Sequence, residues 1–506
     1  MSEYFMKTGF YWRPMGGNNI DQISGHCYQY TDIIETKAGL KASTIIVDLG
    51  KFDNHQALGV KNSVAAVPDI RELLALPFLQ PKAIFLTHSH PDHLNGIIHY
   101  LKAGFRLPTL YGGRYTKLVL EELYEEFGII DVPVFEIIKN GDKIKCGTID
   151  VEVIDSSHTC FDSFGLIITS ADDTCVYHTG DMKIDETTCF RKPTNIKRLT
   201  QLSKKINYVV ADFYGITEEG MATKEKDTYK SLLKIMRKHN KERVYIPIYP
   251  THAEMILLAF IAALKLKKNV LFFGDKNFYC YLELIKKYGI DFKKMAEKRI
   301  KVYYGNKKSF NVLENDCIVI GTFNDLGRLL DFPAEKSMGI ITSGSFFNPL
   351  RGQLNAHNIK FIDAKNIPAL QGCGHGQIKD YEFLNTVLNR PVFIPTHCPI
   401  HIIDNGFELF KYIGMEIARP IAQNNHIYLF AKTNIKEVHA TPAVWLVVNY
   451  VNDVATFTEV WQKPTSGIGF LKRTISVKKS KNKFSMMLHQ RLKRSKNENK
   501  KIFGKL

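Results

Sequence analysis

Apolar positions in this chain fall into short runs separated by amphipathic stretches. Thr44–Asp48 (TIIVD), Lys82–Thr87 (KAIFLT), Ile149–Asp155 and Thr174–Thr179 are apolar or β-branched runs, each ending on a polar group. Runs this short, with little polar alternation, predict buried strands. Helices are predicted over Asp69–Leu76 and from Leu94 onward. A second block with the same alternation runs from about Gly215 to Ile367, with strands expected at Val244–Ile248, Asn269–Phe273, Cys317–Gly321 and Gly339–Thr342. A third stretch predicts a helix near Gln377–Leu388, a strand at Pro391–Pro395 and a helix near Ile402–Ile413. One further strand-like run, Val444–Val451, follows Pro442. Alternation on this scale predicts α/β layers.

Length and charge refine that picture. A chain of 506 residues usually makes two or three domains. Its formal charge is +17, but thirteen Lys/Arg face a single acid, Glu498, between Leu471 and Leu506. That segment carries +12 and the rest only +5, so the expectation is a nearly neutral body with a solvated, disordered basic tail. If half a dozen tail charges met phosphates on a single strand, log K would fall with log salt at a slope of about −4. Phe484, Met486, Met487, Leu488 and Leu492 offer too little apolar surface for firm membrane anchoring. The longest apolar run, Met255–Leu266, is about a dozen residues, where a spanning helix needs roughly 20. No membrane association is expected. Nine scattered cysteines, no CxxC pair and no secretory pattern near Met1 favour a reducing cytoplasm.

The candidate chemistry is concentrated in Thr87-His88-Ser89-His90-Pro91-Asp92-His93. Four ligand-type side chains lie within six residues, after a buried strand and before a helix. An extended turn sets His88 and His90 to one side, and the tightening toward the helix brings Asp92 and His93 to a second point nearby. Imidazole with carboxylate suits zinc or manganese rather than calcium. Downstream, Asp155-Ser156-Ser157-His158, His178-Thr179-Gly180-Asp181 and Pro395-Thr396-His397 each close a strand. Together they could supply a third nitrogen for one ion, a bridging carboxylate, and a further ligand for a second ion.

With these motifs the chain resembles the metallo-β-lactamase superfamily. The segments IFLTHSHPDH, HTCFDSFGLII from His158, VYHTGDMKID, VVAD at Asp212, GCGHGQIKDYEFL at His375 and FIPTHCPIH at His397 are similar to its β-CASP branch, in particular the ribonuclease J family. The 216 positions between Asp181 and His397 leave room for the inserted domain of that branch. The resemblance implies an αββα metallo-β-lactamase sandwich over 1–214 and 367–440, a β-CASP α/β domain over 215–366, and a C-terminal extension over 441–506.

It further implies two zinc ions, with manganese as the alternative. His88, His90 and His158 would hold one; Asp92, His93 and His397 would hold the other; Asp181 would bridge them. Asp48 would orient a ligand histidine. Asp212 and His375, with Asp92, would be catalytic, and Gly374, His375 and Gly376 would contact substrate, the glycine N–H groups facing an anion at a helix start. The implied reaction is hydrolysis of RNA phosphodiester bonds by a two-metal-activated hydroxide, endonucleolytic and also 5′-to-3′ exonucleolytic, on single-stranded RNA. A DNA nuclease, a small-molecule hydrolase and a non-cutting RNA-binding paralogue are the alternatives, and a homo-oligomer is left open.

Departures from the family bear on substrate. The family's Ser-Gly-His-Ala-Ser run reads Cys373-Gly374-His375-Gly376-Gln377 here, and Tyr249–Glu254 lacks the family's arginine. Recognition of a 5′-monophosphate end is therefore not expected to carry over unchanged.

Overall fold

The computed structural model describes residues 7–18, 24–52, 60, 63–305, 317–322, 337–342, 348–398, 407–418, 423–424, 426–430, 435–439, 444–451, 454–462 and 470–476. Most of the basic tail and the start of the helix expected near Ile402 lie outside these residues.

Two sheets stack face to face. In spatial order, the first joins Ile435–His439, Ile427–Phe430, Gly9–Gly16, Cys27–Thr36, Gly39–Val47, Pro81–Phe85, Thr109–Gly112 and Phe135–Ile137. The second joins Glu416–Ile417, Val392–Thr396, Tyr208–Asp212, Cys175–His178, Phe164–Thr169, Ile149–Asp155 and Lys143–Cys146. Alternation along each strand divides its side chains between two cores. In Gly9–Gly16, Phe10 and Trp12 face the space between the sheets, where they meet Tyr28, Val47, Phe85, Val153, Leu166, Val210 and Ile394. Tyr11 and Met15 face the other way, toward Leu94, Ile97 and Leu120 on the outer helices. Ile196–Leu202, Ile378–Val387 and Phe407–Tyr412 cover the second sheet through Leu199, Tyr381, Leu384 and Phe410. The result is a helix–sheet–sheet–helix sandwich.

Between Asp212 and Val392 the chain builds a separate six-stranded sheet in the order Val302–Tyr304, Asn269–Phe273, Cys317–Gly321, Arg243–Pro247, Ser337–Ile341, Lys360–Asp363. Its pairings are all parallel, as expected of a sheet flanked by helices. The apolar run near Met255 is the core helix Ala253–Lys265, buried almost all round. No described helix is long and apolar enough to cross a membrane.

The C-terminal region departs from the expectation of one strand followed by a tail. Val444–Val451, Val454–Gln462 and Phe470–Ser476 form an antiparallel meander whose first strand pairs with Ala65–Pro68. Leu471–Ser476, counted as tail by charge, is thus a strand. Backbone pairing with Val454–Gln462, from Gln462↔Phe470 to Thr456↔Ser476, outweighs the local charge excess.

Two details place the chemistry. The parallel registers His178↔Val210 and Asp212↔Thr396 bring the ends of three neighbouring strands to one edge, where open α/β sheets carry their sites. Buried charges also join the insertion to the sandwich. Glu254, at the start of the insertion's core helix, lies 3.3 Å from Lys183 and 3.0 Å from Arg191. Lys183 also faces Asp185 at 3.8 Å, and Arg191 pairs with Glu225. All five are buried or nearly so.

Candidate metal centre

Asp181 sits at the middle of the site, and its two oxygens face different ways. Oδ2 lies 3.7 Å from Nε2 of both His88 and His158. Oδ1 lies 3.3 Å from His93 Nε2 and 3.2 Å from His397 Nδ1. His90 completes the first group, its Nδ1 3.0 Å from His158 Nε2. Asp92 completes the second, its Oδ2 3.7 Å from His93 Nε2 and 4.0 Å from His397 Nε2. The sequence-predicted ligands are therefore brought together as two groups sharing one carboxylate.

Hydrogen bonds aim these rings. Asp48, in the left-handed region at φ 59°, accepts from the Thr87 N–H and the Thr87 hydroxyl, both at 2.8 Å. It also accepts from His93 Nδ1 at 2.8 Å, which turns His93 Nε2 toward Asp181. Because the Thr87 hydroxyl hydrogen goes to Asp48, its oxygen accepts from His88 Nδ1 at 3.0 Å, and His88 Nε2 is left bare. His158 Nδ1 donates to the Gly374 carbonyl at 2.9 Å. A Cβ at Gly374 would come within 2.6 Å of that ring, so the position requires glycine. One carboxylate thus sets tautomers in both groups. Asp48→Ala is expected to weaken divalent-ion binding at both by roughly 10–100-fold, measured by titration of the chelator-stripped protein.

The residues fit a pair of divalent cations. His88 Nε2 is buried with no hydrogen-bond partner, which would cost about 1–3 kcal/mol if nothing satisfied it. Burial holds His88, His90 and His158 neutral, His90 at about 4, in the form that ligates metal. Burial acts the same way on His93 and His397, but neighbouring carboxylates overturn it. Asp181, Asp92 and Asp48 raise His93 well above the usual range, and Asp181 and Asp212 raise His397 to about 10. Burial would raise Asp181, but His93 and His397 hold it well below a normal carboxyl. Concentrated negative charge therefore calls for a counter-cation.

Asp212 and His375 stand beside this centre. Asp212 Oδ2 accepts from His375 Nδ1 at 2.8 Å, and Oδ1 lies 3.4 Å from His397 Nδ1. Asp212 also accepts from the backbone N–H of Met182 and Tyr214. Buried behind the imidazole, it positions His375. A cavity of about 370 Å³ opens in front, lined by His90, His158, His375, Tyr214, Tyr249 and His252, among others.

One sequence expectation needs correction. The Gly376 N–H is not free for an anion, since it donates to the Met182 carbonyl at 2.6 Å. The helix begins two residues later, at Ile378, closed by a Gln377–Asp380 capping box. Within the HTGD cluster, His178 is not part of the centre. Its Nδ1 pairs with Tyr30 OH at 3.0 Å between the sheets, where burial lowers it to about 3. One residue at the centre was not anticipated. His26, preceding Cys27–Thr36, places Nε2 3.6 Å from Asp92 Oδ2. The only signal was a lone histidine after a glycine-rich segment.

Residues 64–224 match the family described as beta-lactamase superfamily domain. Over that segment the chain is similar to the metallo-β-lactamase superfamily. The chain is similar to ribonuclease J of Sinorhizobium meliloti, with 30% identity over 234 residues, 46% of this chain and 40% of that protein. It is also similar to ribonuclease J of Helicobacter pylori, with 26% identity over 270 residues, 52% of this chain and 37% of that one. The chain thus spans about two fifths of the length of the curated relatives it matches. Among solved structures, a protein of unknown function from Enterococcus faecalis superposes with a TM-score of 0.54 at 14% identity, covering 85% of this chain and all of that one. That likeness concerns the fold alone.

Proposed function

We propose that this metallo-β-lactamase-fold protein is a metal-dependent ribonuclease, cutting single-stranded RNA internally and also from the 5′ end, with two zinc ions or, alternatively, manganese. The observation that carries the reading is His375, fixed by Asp212 at 2.8 Å and exposed to the same cavity as His90 and His158. A phosphate in that cavity would touch both the histidine and the ligand groups. Similarity to ribonuclease J supports RNA as the polymer, and a cytoplasmic setting follows from that role.

When bound, paired divalent ions supply Lewis acidity and make a water nucleophilic at neutral pH. The chain's own residues do the rest. Asp181 and the six other ligand-type side chains define where the phosphate sits. Asp212 accepts from His375 Nδ1, and when the ring takes up a second proton Nε2 can donate a hydrogen bond to a phosphate oxygen or pass that proton to the departing oxygen. Tyr214 packs against the His375 ring with centroids 4.5 Å apart and limits its rotation. His375→Gln is expected to lower single-turnover cleavage by about 10²–10⁴-fold with ion content unchanged, measured by elemental analysis beside quenched-flow kinetics.

Among the described residues the cavity lining includes no Arg or Lys, so a dedicated grip on a 5′-monophosphate is not part of this proposal. End-labelled RNA and DNA oligomers with 5′-monophosphate, triphosphate or hydroxyl ends test the reading. Metal-dependent cleavage of RNA at similar rates for all three ends is expected. Cleavage of DNA alone would favour a DNA nuclease, and binding of RNA without cutting would favour a non-catalytic paralogue. The basic tail is proposed to add affinity: deletion after Ser476, which spares the strand Phe470–Ser476, should raise the apparent KM and flatten salt dependence, with the chemical step nearly unchanged.

A further inference from the structure

His26 is the buried polar group at the centre that the implied ligand set does not use. It is 1% exposed, and its Nε2 has no hydrogen-bond partner. Its orientation is set by its neighbours. Nδ1 pairs with Tyr28 OH at 2.8 Å. That contact turns Nε2 toward Asp92 Oδ2, 3.6 Å away. When Nδ1 carries the ring proton, the lone pair of the neutral ring is on Nε2.

The surroundings hold the ring there. It stacks on His93, with centroids 4.1 Å apart and planes at 18°, and meets His397 edge-on at 4.3 Å. Ligand atoms of His26, His93 and His397 lie within 4.8 Å of one another. The His26 N–H donates to the Asp92 carbonyl at 2.8 Å, tying it to the loop that carries the other ligands. Gly17, at φ +83°, makes room: a Cβ there would collide with both His26 Nδ1 and Tyr28 OH. Its carbonyl accepts from the His397 N–H at 3.0 Å, so one glycine supports two of the three histidines.

We infer that His26 is an additional metal ligand, giving the second ion five protein donors: His26, Asp92, His93, Asp181 and His397. This rests on the two-ion reading above. The first ion, with His88, His90, His158 and Asp181, keeps fewer protein donors. It also borders the cavity through His90 and His158, as a site with an open position for substrate should. The second ion is then the more saturated and more tightly held of the two.

Cobalt(II) titration of the chelator-stripped full chain tests this, followed by calorimetry and visible absorption. His26→Phe keeps a ring against His93 but removes the nitrogen, and His26→Ala with added imidazole is a second route. Wild type is expected to take up two ions. In His26→Phe the tighter of the two sites should weaken by roughly tenfold or more. The cobalt band of that site should intensify as its coordination number falls, with the other site unchanged. Imidazole should restore the wild-type band in His26→Ala. His158→Ala should weaken the other site instead. Two ions bound by His26→Phe with wild-type affinities and spectrum would overturn the ligand assignment alone. Fewer than two ions in wild type would overturn the two-ion reading along with it.

Discussion

Asp181→Asn is expected to abolish metal-dependent cleavage, by about 10³-fold or more, equivalent to roughly 4 kcal/mol of transition-state stabilisation. The reason is geometric. One Asp181 oxygen faces His88 and His158 and the other faces His93 and His397. An amide keeps the shape but removes the charge both groups share, and its nitrogen cannot ligate. Asn would also leave His93 and His397 without the carboxylate that does most to raise them. Ion content should fall at both sites, whereas His158→Ala should empty mainly the first. Elemental analysis beside single-turnover kinetics checks this. An Asp181→Asn protein with two ions and normal turnover would remove the carboxylate from the centre of the account.

The second large effect concerns stability. Glu254→Ala is expected to destabilise the protein by about 3–5 kcal/mol, because it removes the carboxylate that Lys183 and Arg191 share and leaves two buried cations under-compensated. Lys183 would retain Asp185 at 3.8 Å and the Thr223 carbonyl at 3.3 Å, and Arg191 would retain Glu225. A fall in Tm of roughly 5–10 °C should follow. Removing the cation together with the acid should cost less than removing the acid alone, so Lys183→Met in a Glu254→Gln background should recover part of the loss. The effect should reach the site too. The Glu254 N–H donates to the Thr159 carbonyl at 3.2 Å, one residue from His158. A Glu254→Ala protein melting with wild type would show that these charges do not hold the insertion in place.

The parts legible in the sequence were those with local physical signals. Asn269–Phe273, Cys317–Gly321 and Val444–Val451 are apolar runs without alternation, and the strands occupy the expected residues. The HxHxDH run was legible because four ligand-type side chains in six residues have little other use. Less legible was what depends on distant partners. The strand Phe470–Ser476 contains Lys472 and Arg473 and reads as solvated tail until its pairing partner is known. Lys183 and Arg191 carry no mark of burial, since their compensating acid lies more than sixty residues away. Gly376 looked like an anion-binding N–H, but the Met182 carbonyl takes that hydrogen. His26 was hidden for the same reason. Only the pairing of Cys27–Thr36 with its neighbours, and the His26–Tyr28 contact, turn a lone histidine toward Asp92.

The central claim is that these side chains hold two ions on either side of one carboxylate. Anomalous diffraction at the zinc edge, from crystals grown with zinc, tests it most directly. Two peaks are expected flanking Asp181, one within bonding distance of His88, His90 and His158 and the other of Asp92, His93 and His397. A single peak, or two peaks that do not share Asp181, would contradict it.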